Sequence, residues 1–143
     1  MTTRAQLLSE MDAIEATAKR LATVAERTDD QRKQDLAAAR RELAIRMMTV
    51  MAIGEDYPPI RQNAAVYAEL RQRLSGLRAV IADHQARWSA VAIDSDDKAY
   101  SASSAGVQQA GRDFMRWVRR QVESLPPSTD NDDGNAASRA VAS

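Results

Sequence analysis

The chain of 143 residues contains no cysteine and little glycine, proline or aromatic residue. Without cysteine it can form no disulfide, iron–sulfur cluster or cysteine-based zinc site, and it has no thiol nucleophile. Five glycines and four prolines are too few for the many turns of a β-rich domain. The composition therefore favours an all-α fold whose core is built from aliphatic residues, methionine and alanine.

The chain also lacks a net charge, because 20 basic residues balance 20 acidic ones. This balance does not favour nucleic-acid binding by a basic domain. The longest apolar run, residues 47–53, is interrupted by Thr49 and is too short to span a bilayer. No apolar segment typical of a signal peptide follows Met1, so we expect no membrane span and a cytoplasmic location.

Two amphipathic helices are predicted in the first third of the chain. The first, from about Thr3 to Arg27, carries a heptad seam of Leu7, Met11, Ile14, Ala18, Leu21 and Ala25. Thr28 and Gln31 have the spacing of a capping box that starts a second helix, which runs to about Ile53 before a stop at Gly54. Because neither glycine nor proline separates the two helices, a single bent helix over residues 3–53 is an alternative.

A longer third helix is predicted after Pro58 and Pro59, reaching about residue 93. Its apolar seam extends over more than four heptads, as in a coiled coil: Ile60, Asn63, Tyr67, Leu70, Leu74, Leu77, Ile81, His84, Trp88 and Val91. The acidic segment 94–98 breaks this pattern. Serines at 101, 103 and 104 offer N-caps for a fourth helix, which ends near Leu125 before a proline pair.

These elements predict one all-α domain over residues 1–125. Its architecture is a four-helix bundle: a helical hairpin, a long heptad-patterned third helix and a shorter fourth helix. Residues 126–143 contain almost no large apolar side chain and are predicted to form a disordered acidic tail.

The lone histidine, His84, suggests a pocket. It lies on the seam one turn before Trp88, and Phe114 and Trp117 of the fourth helix are further candidates for the pocket lining. The alternative is that all four side chains are ordinary core residues. We expect no cofactor and no metal, because one imidazole without cysteine offers too few ligands.

The fourth helix carries a stripe of arginines. Arg112, Arg116, Arg119 and Arg120 lie within about 100° of one another around the helix axis. Such a stripe can bind an acidic partner, another anion, RNA or a membrane surface. The alternative is the solvated face of an amphipathic helix.

The end of the second helix is apolar on nearly all sides, which suggests an interface between subunits. Met47, Met48, Met51 and Ile53 are the candidate interface residues. A two-fold homodimer would bury them, and closed two-fold symmetry is the commonest arrangement of oligomers.

No nucleophile, acid, base or metal ligand set is assembled by the sequence, so we predict that the chain is not an enzyme. The favoured hypothesis is a helical protein-interaction module: an adaptor, regulator or assembly component with a protein partner. A bundle that binds a small molecule or cofactor near His84 is the first alternative. Binding of an anion or RNA by the arginine stripe is the second, with nucleic acid not favoured.

Overall fold

The computed structural model describes residues 1–126, and they fold into five helices. Helices account for 82% of these residues and no strand occurs among them, which confirms the predicted all-α class. The predicted disordered tail, apart from Pro126, lies outside the described residues. The helices are α1 (Arg4–Glu26), α2 (Arg32–Glu55), α3 (Pro58–Arg61), α4 (Ala64–Arg87) and α5 (Asp97–Ser124).

A capping box starts α1. The Thr3 hydroxyl accepts a hydrogen bond from the Gln6 backbone N–H at 3.1 Å, and the Gln6 side chain accepts one from the Thr3 N–H at 2.9 Å. Two N–H groups that have no partner within the helix are thereby satisfied. The helix then buries Leu7, Met11 and Ile14, which were predicted to lie on its seam.

The break between α1 and α2 rules out a single bent helix. The predicted capping box at Thr28 is wrong, because Gln31 is the N-cap of α2 and its side chain makes no capping bond. Asp29 organises the turn instead, since its carboxylate binds two nitrogens of Arg27 at 2.6 and 2.7 Å and accepts from the Gln31 N–H at 3.0 Å. The hydrogen bond from Arg27 lowers the pKa of Asp29 to about 2. An ionised carboxylate is a stronger acceptor here than the threonine hydroxyl.

The corner between α2 and α4 is formed by a short buried segment. Helix α2 ends at Glu55, so the predicted stop at Gly54 is wrong. Gly54 lies inside the last turn of α2 and packs toward α4, where a Cβ atom would make an ordinary van der Waals contact with the side chain of Leu70 at 3.7 Å. Tyr57 and Ile60 are buried at the corner, and the Asn63 side chain caps α4 by accepting from the Val66 N–H at 3.1 Å.

Two predicted helix boundaries around residues 88–101 are wrong. Helix α4 stops before Trp88, and Val91, placed on the seam by sequence spacing, is 78% exposed. Helix α5 begins four residues before the predicted serine caps, because the Asp96 carboxylate accepts from the Ala99 N–H at 3.1 Å. A negative charge also favours a helix N-terminus. With 28 residues, α5 is the longest helix, although the sequence predicted a shorter one.

The helices form two hairpins that meet along one side. α1 packs along α2, α4 packs along α5, and the hairpins join mainly where α1 contacts α5. The short α3 contacts α2, α4 and α5 at one end, whereas α2 and α4 stand apart at the level of their backbones. As a consequence only Leu70 and Leu74 of α4 are buried, and Leu77 and Ile81 remain half-buried. Within residues 1–126, no helix is both long and apolar enough to cross a membrane.

Candidate functional site

A cavity of about 410 Å³ lies between the four long helices. Its inner surface is mostly apolar, and side chains of all four helices contribute: Ile14 of α1, Leu43, Met47 and Val50 of α2, Leu74, Leu77 and Ile81 of α4, and Val107, Phe114 and Met115 of α5. A neighbouring void beside Leu7 and Gly54 measures about 20 Å³, which is room for about one water molecule. Only the first of these two spaces has the size of a ligand site.

The sequence leaves this cavity unfilled for two reasons. Helices α2 and α4 meet near Gly54 and Leu70, but their backbones are otherwise well separated, so their apolar strips face a gap. On α5, Gly111 lines the gap, and a Cβ atom at this position would meet no heavy atom within 4 Å. The backbone of α5 thus borders open space where a larger side chain would otherwise project.

We call the part of the lining that charged residues of α1 and α5 form the polar mouth of the cavity. Lys19, Arg112 and Arg116 belong to this part and are exposed, so the lining reaches solvent there. Below them, Arg119 of α5 joins the two helices, with its Nη2 atom 3.0 Å from Glu15 Oε1 and 2.6 Å from Asp12 Oδ1. This ion-paired cluster fixes α1 against α5 on one side of the opening.

The mouth carries an excess of positive charge. Lys19 and Arg112 form no ion pair with any carboxylate in the described part of the chain. Arg112 donates to the neutral side chain of Gln109 at 2.8 Å. Arg116 lies 3.6 Å from Asp113, an exposed contact along the same helix that contributes little. Four cationic side chains and one carboxylate line the cavity, and that carboxylate, Glu15, is already paired.

The structure divides the predicted arginine stripe. Arg112, Arg116 and Arg119 line the cavity mouth, whereas the exposed Arg120 does not belong to the lining. Arg119 is occupied by the carboxylates of α1 and is not free for an external anion. A continuous row of four available arginines is therefore not present on α5.

The four side chains of the pocket predicted around His84 separate into different environments. His84 stacks on Tyr100 with ring centroids 5.7 Å apart, and Trp88 meets the same ring at 5.7 Å. Phe114 lines the central cavity. Trp117 is covered by the guanidinium of Arg73, 4.8 Å from the ring centroid.

His84 has the environment of a packing residue. Its Nδ1 lies 2.7 Å from Ser103 Oγ, and burial lowers its pKa, with the positive charge of Arg40 acting in the same direction. A serine hydroxyl that is hydrogen-bonded to a histidine can serve as a nucleophile with its general base. In such sites, however, a third group normally orients the histidine. Within residues 1–126 no carboxylate bonds the second ring nitrogen, and no cluster of three potential metal ligands occurs.

The predicted interface residues of α2 also lie in different environments. Met48 is 68% exposed, and Ile45, three residues earlier, is 64% exposed. Met47 faces the central cavity, while Met51 and Ile53 are partly buried against the core. Only one of the four candidates thus projects into solvent.

Three important residues were missed by the sequence reasoning. Tyr100, which is buried under His84 and Trp88, precedes the serines predicted to cap the fourth helix, so the predicted helix did not include it. Lys19 is one of several charged residues of α1, and its position in the sequence does not distinguish it from the others. Gly111 did carry a signal, since it lies four residues after Val107 and three before Phe114, on the apolar face of α5.

Comparison of the chain with protein-family models, curated proteins and solved structures finds no match in any of the three.

Proposed function

We propose that this chain is a non-catalytic binding protein that holds an apolar guest in the cavity between its four long helices. The observation that carries the proposal is the apolar cavity of about 410 Å³ with its polar mouth. Small-molecule sites measure roughly 300–1,000 Å³, are mostly apolar and carry a few polar groups that fix orientation. In this reading the four long helices act as one bundle, and helical bundles hold their ligands between facing helices.

Physical chemistry supports a guest in this space. Leu77, Ile81 and Met47 pack against the core but stay partly exposed where they line the cavity. A guest that displaces water from these surfaces gains hydrophobic free energy and dispersion contacts. The apolar strips of α2 and α4, whose backbones stand apart, would supply part of the contact surface for the guest.

A single substitution on α5 tests this proposal. Gly111→Leu places a side chain in the cavity, whereas Gly106→Leu places the same side chain on the exposed face of the same helix. A Cβ atom meets nothing within 4 Å at either glycine, so both variants should fold. Circular dichroism checks folding, and titration with the neutral apolar fluorophore N-phenylnaphthylamine measures binding.

We expect the parent and Gly106→Leu to bind the fluorophore alike and Gly111→Leu to lose binding by about tenfold or more, since an overfilled site excludes the guest. A folded parent that does not enhance the fluorescence would refute the proposal. Equal binding by parent and Gly111→Leu would show that the guest sits elsewhere.

A second candidate is the protein-interaction module predicted from the sequence, acting through α2. Its support is the exposed apolar pair Ile45 and Met48, which lie three residues apart and so project from one side of the helix. A second copy of the chain in a two-fold homodimer is the partner that this pair favours. The cytoplasmic location expected from the sequence stays a prediction.

Sedimentation equilibrium tests this second candidate. A homodimer should appear at twice the chain mass of 15.7 kDa, and Met48→Glu should dissociate it because a charge would be buried without a partner. Val80→Glu makes the same kind of change at an exposed apolar position on α4; it is the matched control and should leave the dimer intact. A single species near 15.7 kDa at micromolar concentration rules the homodimer out.

A further inference from the structure

We infer that the guest is an anionic amphiphile of the long-chain carboxylate class, with its chain in the cavity and its head group at the Lys19–Arg112 mouth. The inference rests on the proposed function and adds to it the chemical class of the ligand. Three features carry it: the apolar strips that run along the cavity, the charge of its mouth, and the pairing of the one carboxylate there.

The apolar strips that line the cavity run along the helix axes. On α4 the strip extends from Leu74 to Ile81, and on α2 it extends from Leu43 to Val50. Seven residues at about 1.5 Å per residue give each strip a length of about 10 Å. The strip on α5, from Val107 to Met115, is slightly longer. The three strips give the cavity an apolar lining about 10 Å long, along which a hydrocarbon chain can extend.

The mouth is suited to an anionic head group. Lys19 projects from α1 and Arg112 from α5, so the two cations belong to the two helices that border the opening. Neither is neutralised by a carboxylate of the described residues, and Arg112 has only the neutral Gln109 as a side-chain partner. Arginine binds a carboxylate through two parallel N–H groups, and lysine adds a point charge.

The carboxylate at the mouth does not oppose this assignment. Glu15 would repel an anion if it were free, but Arg119 lies 3.0 Å from it and also contacts Asp12. The same pairing leaves no free carboxylate in the lining for a cationic head group. An alcohol head group would satisfy fewer of the donors and would leave both charges uncompensated.

Ligands with the same chain and different head groups test the inference. Dodecanoate, dodecanol and dodecyltrimethylammonium, each below its micelle concentration, compete with N-phenylnaphthylamine for the parent protein. We expect dodecanoate to bind roughly tenfold more tightly than dodecanol, and the cationic ligand to bind most weakly. Added salt should weaken dodecanoate binding and leave dodecanol binding nearly unchanged.

Matched variants locate the head group. Lys19→Gln combined with Arg112→Gln should reduce dodecanoate affinity about tenfold without changing dodecanol affinity. Arg87→Gln combined with Arg120→Gln removes the same charge from exposed positions outside the cavity lining and should change neither affinity.

The possible results separate the two proposals. If dodecanol binds as tightly as dodecanoate, or if both double variants behave alike, the head-group assignment is overturned while the apolar cavity stands. If neither the fluorophore nor any of the three ligands binds the folded parent, the proposed function itself fails. Preferential, Lys19- and Arg112-dependent binding of dodecanoate supports both.

Discussion

Truncation of Leu74 to alanine measures how firmly α4 is held against the other helices. Leu74 is only 5% exposed, and it lines both the small void and the central cavity. Losing three carbons from a buried site costs about 2.4 kcal/mol at about 0.8 kcal/mol for each methylene group. The vacated space merges with a cavity that already exists, so the added cavity cost should be modest. We expect Leu74→Ala to reduce the free energy of unfolding by about 3 kcal/mol.

Leu77→Ala is the matched control, because it makes the same chemical change one turn further along the same helix. Leu77 is half-buried and borders the open cavity, so fewer protein contacts are lost. We expect a cost of about 1 kcal/mol. Urea unfolding followed by far-ultraviolet circular dichroism gives both values, provided that the slope m stays unchanged. Equal costs near 3 kcal/mol for both variants would refute the open cavity, because Leu77 would then be packed as tightly as Leu74.

Three further predictions concern stability. Gly76→Ala on the exposed face of α4, where a Cβ atom meets nothing within 4 Å, should stabilise the fold by about 0.5–1 kcal/mol in urea unfolding. Arg32→Ala removes a buried side chain that donates to the Ala25 carbonyl at 2.7 Å, and should cost about 2–3 kcal/mol; an unchanged urea midpoint would contradict this. His84 has a pKa lowered below 6.5 by burial and by Arg40, so the unfolded chain takes up its proton first. Its contribution to stability is therefore complete above the unfolded pKa and is lost as the pH falls toward the folded pKa. The thermal midpoint of the parent should fall between about pH 7 and pH 5.5, whereas the midpoint of His84→Gln should depend less on pH over the same range.

Local sequence patterns determined the class of the fold and most of the helices. The three-and-four spacing of Leu7, Met11 and Ile14 identifies the buried side of α1, and the capping box at its start needs only residues 3–6. Helix periodicity depends on neighbours three and four residues away, so a short stretch of sequence is enough to recognise it. Boundaries were less certain where several residues can serve as a cap. Asp96 competes with the serines after it, and Asp29 with Thr28.

The candidate site was predictable only in part. Arg112 and Phe114 were singled out, but on separate grounds and for different roles. Both line the cavity that results from the separation of α2 and α4. Lys19 of α1 and Gly111 of α5 line the same cavity. A helix pattern states which side of a helix is apolar, but it does not state how far away the next helix lies. That distance follows from all the packing contacts at once, including the α3 corner and the Arg119 ion pairs to α1. The sequence by itself thus determined four helical segments and their apolar sides. Only the tertiary structure decided that Leu77 and Ile81 face an open cavity, because the separation of helices is a property of the assembled core and not of any one segment.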